Sequence, residues 1–438
     1  MSHRRTLPRT AIRTIAIARA ISFTGGAAAF MALNYDVYRL TGSAGWLAAT
    51  LFLTFGVVGL AGPVAGTIGD RYDRRRVMIA SDLTAAALFL AMAFVRTPMP
   101  LLGLAFAAAL AETPFRAASA AAIPNLIGDQ AQLGWANGMV SMGLSAGILL
   151  GPVLGGLLVG PLGAQAVFAA NACSFVVSAL LVATVRGPFR DEAHREVRRE
   201  HGGMTGGFRF LFRERVLRTV AFAWVAIVLG GGVCMVADVP LAALFGSGSA
   251  GYGAMIAGWG GGSLLGSLAG RWVNERNEAA VLVAGALALA LGTAAVAASP
   301  VFWPVVIAIF VAGFGDAFMA VAEQSLYQRR TPDGIRSRVM AAQDALVQVA
   351  MAFAFCFAGL VVALVGPRGA YLVGGATAVV AVLLLVPIRR WTARERSPVA
   401  LQPWEAHART DEQPRAGREP MMAGRSGTAS RNDPEPPF

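Results

Sequence analysis

The sequence predicts an all-α integral membrane protein with twelve transmembrane helices in two pseudo-symmetric six-helix bundles. Three observations predict it: apolar runs of spanning length, an arginine distribution that alternates between successive connections, and short strings that recur at one offset. A span needs about 20 apolar residues. Runs of that kind lie near 15–38, 45–68, 77–95, 100–121, 136–159, 164–185, 217–245, 252–272, 279–298, 301–322, 339–364 and 369–388. Of the 438 residues, 56% are hydrophobic and only 14% charged, against about 25% charged in a soluble domain.

Each element can be justified in order. Arg4, Arg5, Arg9 and Arg13 precede the first run and imitate a signal peptide. The apolar stretch continues to Tyr38 and leads straight into another span, so it is read as a retained first helix. Connections on one side carry Arg71, Arg74, Arg75, Arg76, the arginines of 190–218, Arg271, Arg276, Arg329, Arg330 and Arg336. Those on the other side carry Arg39, Arg96 and Arg368. The arginine-rich side is cytoplasmic, and an even number of spans puts both termini there. The expected organisation is a bundle over 1–185, a cytoplasmic linker over 186–216, a second bundle over 217–388 and a disordered tail over 389–438. The strings Gly160-Pro161-Leu162-Gly163-Ala164 and Gly366-Pro367-Arg368-Gly369-Ala370 mark the two halves as repeats. Gly66-Thr67-Ile68-Gly69-Asp70 and Gly270-Arg271-Trp272-Val273-Asn274 do so at nearly the same offset.

Composition closes other classes. All 37 basic residues are arginine and the net charge is +12, but they sit in loops and termini rather than on one face, which argues against nucleic acid as a partner. Cys173, Cys234 and Cys356 lie inside apolar runs, so no disulfide framework is expected. The four histidines all fall in polar segments, leaving no intramembrane metal site or histidine catalysis. An intramembrane enzyme would need a positioned Ser/His or metal constellation, and none is visible.

The candidate functional residues are the acids inside spans: Asp36 in span 1, Glu112 in span 4, Asp238 in span 7 and Asp316 in span 10. An ionised acid at a helix centre costs about 2.5–3.5 kcal/mol, so each must face water, find a partner or carry a proton. Glu112, near mid-span and read as having no basic neighbour, ranks first as a proton site, then Asp316. Asp238 and Asp36 lie nearer the outer ends, where hydration weakens the argument. Asp82 and Asp344, near the inner ends of spans 3 and 11, read as caps or braces.

The string Gly66-Thr67-Ile68-Gly69-Asp70-Arg71-Tyr72-Asp73-Arg74-Arg75-Arg76 carries a resemblance. Its pattern, Gly-x-x-x-Asp-Arg-x-x-Arg-Arg, resembles the signature loop between helices 2 and 3 of the major facilitator superfamily, with Asp73 where that family usually has glycine. Gly147-x-x-x-Gly151-Pro152-x-x-Gly155-Gly156 in span 5 resembles the motif of its drug and metabolite antiporters. Pro114-Phe115-Arg116, Pro124, Ala136-Asn137 and Ala170-Asn171-Ala172-Cys173-Ser174-Phe175 are similar to a branch of macrolide-efflux and enterobactin-exporter-like proteins. An acid common in that branch near Gly25-Gly26 is absent.

The resemblance implies a central cavity lined by helices 1, 4, 7 and 10, which carry the four acids. Phe30, Asn34, Trp224 and Phe314 are wall candidates from helix assignment. It also implies a latch in which Asp70, with Gly66, Arg71, Arg74 and Arg75 in its loop, meets Arg116 and the start of helix 11. Helices 5 and 8 face each other across the halves in that family. The stripes Gly143, Gly147, Gly151, Gly155 and Gly258, Gly262, Gly266, Gly270 are therefore expected to mark the seam, with generic helix packing as the alternative. The implied function is proton-coupled export of hydrophobic or amphipathic small molecules across the plasma membrane by a monomer, without cofactor, metal or enzymatic activity. Import or uniport of a small metabolite, and lipid movement between leaflets, remain open.

Overall fold

In the computed structural model, the described residues are 6–60, 72–127, 133–185 and 205–395. Helix α1 runs from Thr6 to Thr41. Ser43 caps the next helix, its hydroxyl accepting from the Gly45 amide at 3.2 Å. That helix, α2, comprises Ala44–Leu51, a π-helical turn Phe52–Val57 and Val58–Leu60. Helices α3 (Arg74–Met92) and α4 (Pro98–Ile127) follow.

The continuous segment Leu133–Thr184 breaks at Gly163, where φ is 79°, into α5 (133–162) and α6 (164–184). Only glycine adopts that left-handed conformation without a Cβ clash. A short helix α7 (Thr205–Arg213) precedes α8 (Arg215–Leu244), α9 (Gly248–Ala269), α10 (Glu278–Ala298) and α11 (Phe302–Arg330). The last segment, Asp333–Glu395, breaks at Gly366 (φ 72°) into α12 (333–365) and α13 (367–395). Seven of the described helices, the two broken segments among them, are long and apolar enough to cross a membrane.

Three expectations are corrected. The two halves turn at Gly163 and Gly366, so the repeat strings are displaced by three residues from the alignment of Gly160 with Gly366. Pro161 closes α5, whereas Pro367 opens α13, where its missing amide proton is not needed. The helix expected to end near 388 continues to Glu395, and α11 extends to Arg330 rather than 322. The expected linker is described only from 205 onward, where α7 is held by stacking of Phe208 on Phe212 (6.3 Å) and contact of Phe212 with Phe222 of α8 (6.0 Å). Gly66, Asp70 and Arg71, and the expected tail beyond Glu395, lie outside the described residues.

Lipid tails are as apolar as leucine, so close packing rather than water exclusion must hold such helices together. One buried cluster runs through both halves, from Met31, Leu47 and Phe168 to Val236, Tyr252 and Phe355. A separate cluster of Ile12, Ile15, Met78, Phe115, Val140 and Val182 fills the first half at its arginine-rich end.

Candidate functional site

The glycine stripes do not mark the seam, contrary to expectation. A Cβ on Gly143 would lie 3.0 Å from Ala20 Cβ, on Gly147 2.7 Å from Phe23, on Gly151 2.8 Å from the Thr24 carbonyl and on Gly155 2.7 Å from that of Ala28. All four bind α5 to α1 of the same half. Likewise Gly258, Gly262, Gly266 and Gly270 face Val306, Phe310, Phe314 and Val321 of α11. A spacing of four defines a helix face; it does not say which neighbour the face meets.

The seam lies on the adjoining face. The Ser249 hydroxyl donates to the Gly156 carbonyl at 3.0 Å, and a Cβ on Gly253 would lie 2.6 Å from the Pro152 carbonyl. Gly260 meets Ile148. Helix α2 meets α12 similarly: a Cβ on Gly359 would lie 2.8 Å from Gly45 Cα, and one on Gly56 3.3 Å from Ala352 Cα. Most of these contacts sit toward the end that bears Gly42, Gly163, Gly248 and Gly366. One heptad farther toward the arginine-rich end, the same faces of α5 and α9 present Ser141 and Ser267, both exposed. Among the described residues, the glycine contacts between α5 and α9 thus lie toward the arginine-poor end, and the serines farther along these faces are exposed.

The first half pairs its acids. Asp36 is 1% exposed rather than hydrated. Arg39, three residues on, donates to its Oδ1 at 2.7 Å, and Gln165 of α6 donates to Oδ2 at 3.3 Å. Glu112 does have a basic neighbour: Arg116, one turn along α4, lies 3.6 Å from its Oε2, as i,i+4 geometry dictates. Asp82 is no cap. That role belongs to Asp73, whose Oδ1 accepts from the Arg76 amide at 2.9 Å, so the aspartate in the usual glycine position starts α3. Arg75 donates to the Ala183 carbonyl in the last turn of α6, and Arg74 is the first residue of α3.

The second half uses neutral partners inside. Asp238, half-buried, accepts from the Tyr371 hydroxyl of α13. No partner for Asp316 occurs among the described residues. Two turns farther, Glu323 accepts from Gln343 at 3.1 Å, and Tyr327 donates to Gln343 Oε1 at 3.1 Å or the Leu217 carbonyl at 3.2 Å. Asp344, read as a brace, is exposed. At the rim, Arg329 pairs with Glu278. Arg330 pairs at 3.0 Å with Glu214, which also caps α8 by accepting from the Leu217 amide at 2.5 Å.

Among the wall candidates, Phe30 packs edge-on against Phe55 (5.2 Å) and Phe314 against Phe318 (5.6 Å). Asn34 donates to the Phe30 carbonyl of its own helix, while its buried Oδ1 and the Trp224 indole N–H have no hydrogen-bond partner. Sequence reasoning missed Glu323 because the span was ended one residue too early. Its position seven residues after Asp316, on the same helical face, was the available signal. Among the described residues no group of side chains is suited to holding a metal.

A family model described as Major Facilitator Superfamily matches residues 15–280 and 240–419. The "Multidrug efflux pump Tap" of Mycobacterium tuberculosis is 30% identical over 217 residues, 47% of this chain and 52% of that protein. The chain thus spans about half the length of that relative. The "Enterobactin exporter EntS" of Salmonella choleraesuis is 25% identical over 348 residues, 75% of this chain and 80% of that protein. A solved structure, a bacterial homolog of the human lysosomal transporter Spinster in an inward-facing and unoccupied conformation, superposes with a TM-score of 0.69 at 14% identity, covering 89% of this chain and 96% of that one.

Proposed function

The chain belongs to the major facilitator superfamily, and from that premise we propose that it is a secondary active exporter of hydrophobic or amphipathic small molecules, driven by proton antiport. The observation that carries this reading is the seam between α5 and α9: in contact toward the arginine-poor end, with Ser141 and Ser267 exposed farther along. With the arginine-rich end in the cytoplasm, the interior opens to the compartment from which an exporter loads. Relatives named for efflux and export support the direction.

In this reading the protein is a carrier with both termini in the cytoplasm, residues 1–185 and 217–388 forming the two rocking bodies and 186–216 the linker. Glu112 and Asp316 face the substrate and the proton path, while Asp36 and Asp238 brace α1 to α6 and α8 to α13. Phe30, Trp224 and Phe314 supply apolar surface. Arg116 holds Glu112 while the cytoplasmic side is open. When it closes, Asp70 takes up the guanidinium and the start of α12 in a charge-assisted latch. The membrane potential supplies about 2.3 kcal/mol per charge per 100 mV.

The test is efflux of fluorescent lipophilic dyes and antibiotics from cells expressing wild type or Asp70→Asn, with and without collapse of the proton gradient. Gradient-dependent efflux, lost in a normally expressed Asp70→Asn, is expected. Efflux that persists without the gradient removes proton coupling; gradient-driven uptake turns the protein into an importer.

A further inference from the structure

Asp82 is 2% exposed in the middle of α3, about 12 Å from that helix's start at 1.5 Å per residue. The Ser178 hydroxyl of α6, fully buried, faces it. Among the described residues, neither Asp82 Oδ2 nor Ser178 Oγ is within hydrogen-bonding geometry of a partner. A buried carboxylate without a cation or a set of donors is not a stable arrangement, and the other span acids described in the first half each have an arginine: Arg39 on Asp36, Arg116 on the partly buried Glu112.

The charged groups around Asp82 are few. The segment 133–184, which supplies α6, contains no charged side chain, and its one thiol, Cys173, is exposed. Helix α4 offers Glu112, within electrostatic reach of Asp82, and Arg116, which is engaged with Glu112. Arg19 of α1 neighbours Arg116, and no ion pair of Arg19 or Arg116 with Asp82 occurs among the described residues. On α3 itself the remaining charges are Arg74, Arg75 and Arg76, six to eight residues away. Between α3 and α4 a cleft of about 480 Å³ runs from Asp73 and Arg76 at its mouth to Ser81, Thr84 and Ala111. Asp82 and Glu112 do not line it; Ser81 and Ala111, their neighbours in the chain, do.

We propose that the Asp82–Ser178 pair is a proton-binding site, with Asp82 rather than Glu112 carrying the proton exchanged for substrate, and the α3–α4 cleft as its route to water. A hydroxyl donates to a carboxylate and accepts from a carboxylic acid, so Ser178 can serve Asp82 in both states with a small shift; an arginine serves only the anion. Glu112 supplies the coupling. Two neighbouring carboxyls resist ionising together. With Arg116 on Glu112, as here, Asp82 is free to release its proton; once Arg116 swings away, the bare Glu112 carboxylate favours a proton on Asp82 until a cationic occupant takes the place of Arg116. The site favours cationic amphiphiles as substrates.

This assignment rests on the proton-coupled reading, and two measurements separate them. The first is infrared difference spectroscopy of the purified protein between acidic and alkaline buffer, which needs neither substrate nor flux. A protonated-carboxyl band is expected in wild type, lost in Asp82→Asn, retained in Glu112→Gln and shifted without loss in Ser178→Ala. A band that survives in Asp82→Asn, or that vanishes only in Glu112→Gln, overturns the assignment. The second is proton-gradient-driven ethidium transport in proteoliposomes, with Asp82→Glu as the conservative control. At least a tenfold loss is expected in Asp82→Asn, with rescue in Asp82→Glu. Gradient-driven transport by Asp82→Asn at the wild-type rate overturns the proposal, as does a requirement for a sodium gradient. A wild type that ignores the gradient while its Asp82 band titrates removes proton-coupled export and leaves a proton site without a transport role.

Discussion

The two halves share one plan and treat charge differently. Each ties an acid in its first helix to its sixth: Asp36 to Gln165, Asp238 to Tyr371. The first half pairs its acids with exposed arginines one turn along the same helix, Arg39 on Asp36 and Arg116 on Glu112. The second half keeps its interior partners neutral, Tyr371, Gln343 and Tyr327, and sends Arg329 and Arg330 to the rim. The difference teaches that pseudo-symmetry constrains where helices touch and leaves open which charges they carry. One half pairs its acids with arginines of their own helices. The other has a rim fastened across α8, α10 and α11, and an interior of hydrogen-bonded acids.

Five substitutions break or sharpen that comparison. The largest effect is expected at the seam shared by the halves. Gly253→Val would drive a side chain into the Pro152 carbonyl and Gly156, so transport should fall by more than tenfold while the folded protein persists in size-exclusion chromatography. Gly151→Val, two residues from the seam but facing Ala27 and Thr24 within the first half, should instead destabilise the fold by about 1–3 kcal/mol, read as a lower thermal unfolding midpoint. Equal behaviour of the two variants would erase the distinction between seam and stripe.

An intermediate effect is expected at the paired acids. Tyr371→Phe removes the donor to Asp238 and leaves a half-buried carboxyl unpartnered, at a cost of about 1–3 kcal/mol. Gln165→Leu should cost less, because Asp36 retains Arg39. Thermal melts of the two variants rank the halves directly; a larger loss in Gln165→Leu would reverse the ranking. The smallest effect is expected at Asp73→Ala, which removes the cap of α3 at about 1 kcal/mol and leaves the interior untouched. A loss of transport without a change in melting would make Asp73 more than a cap.

Much of this was legible in the amino-acid order, and the misses have specific causes. The span boundaries followed hydropathy, yet α11 continues past 322 because Ala322, Leu326 and Tyr327 stay buried while Glu323 and Gln324 turn elsewhere. The Glu112–Arg116 pair was readable from its spacing and was overlooked because the two were given separate roles. The role of Asp82 was not readable, since its partner Ser178 lies 96 positions away and one serine among many carries no signal until α3 and α6 are set side by side.

The sequence by itself determined that this is a multi-pass helical membrane protein in two related halves, because a bilayer admits few ways to satisfy a backbone and apolar length and arginine placement are local properties. It also determined which helix faces are smooth, because glycine at every fourth residue is a property of one helix. The tertiary structure alone decided that those faces bind α5 to α1 and α9 to α11. It also decided that the seam runs one residue aside through Gly156 and Gly253, and that Asp82 is buried without an arginine among the described residues. A helix fixes the direction of its own side chains; only packing fixes what they meet.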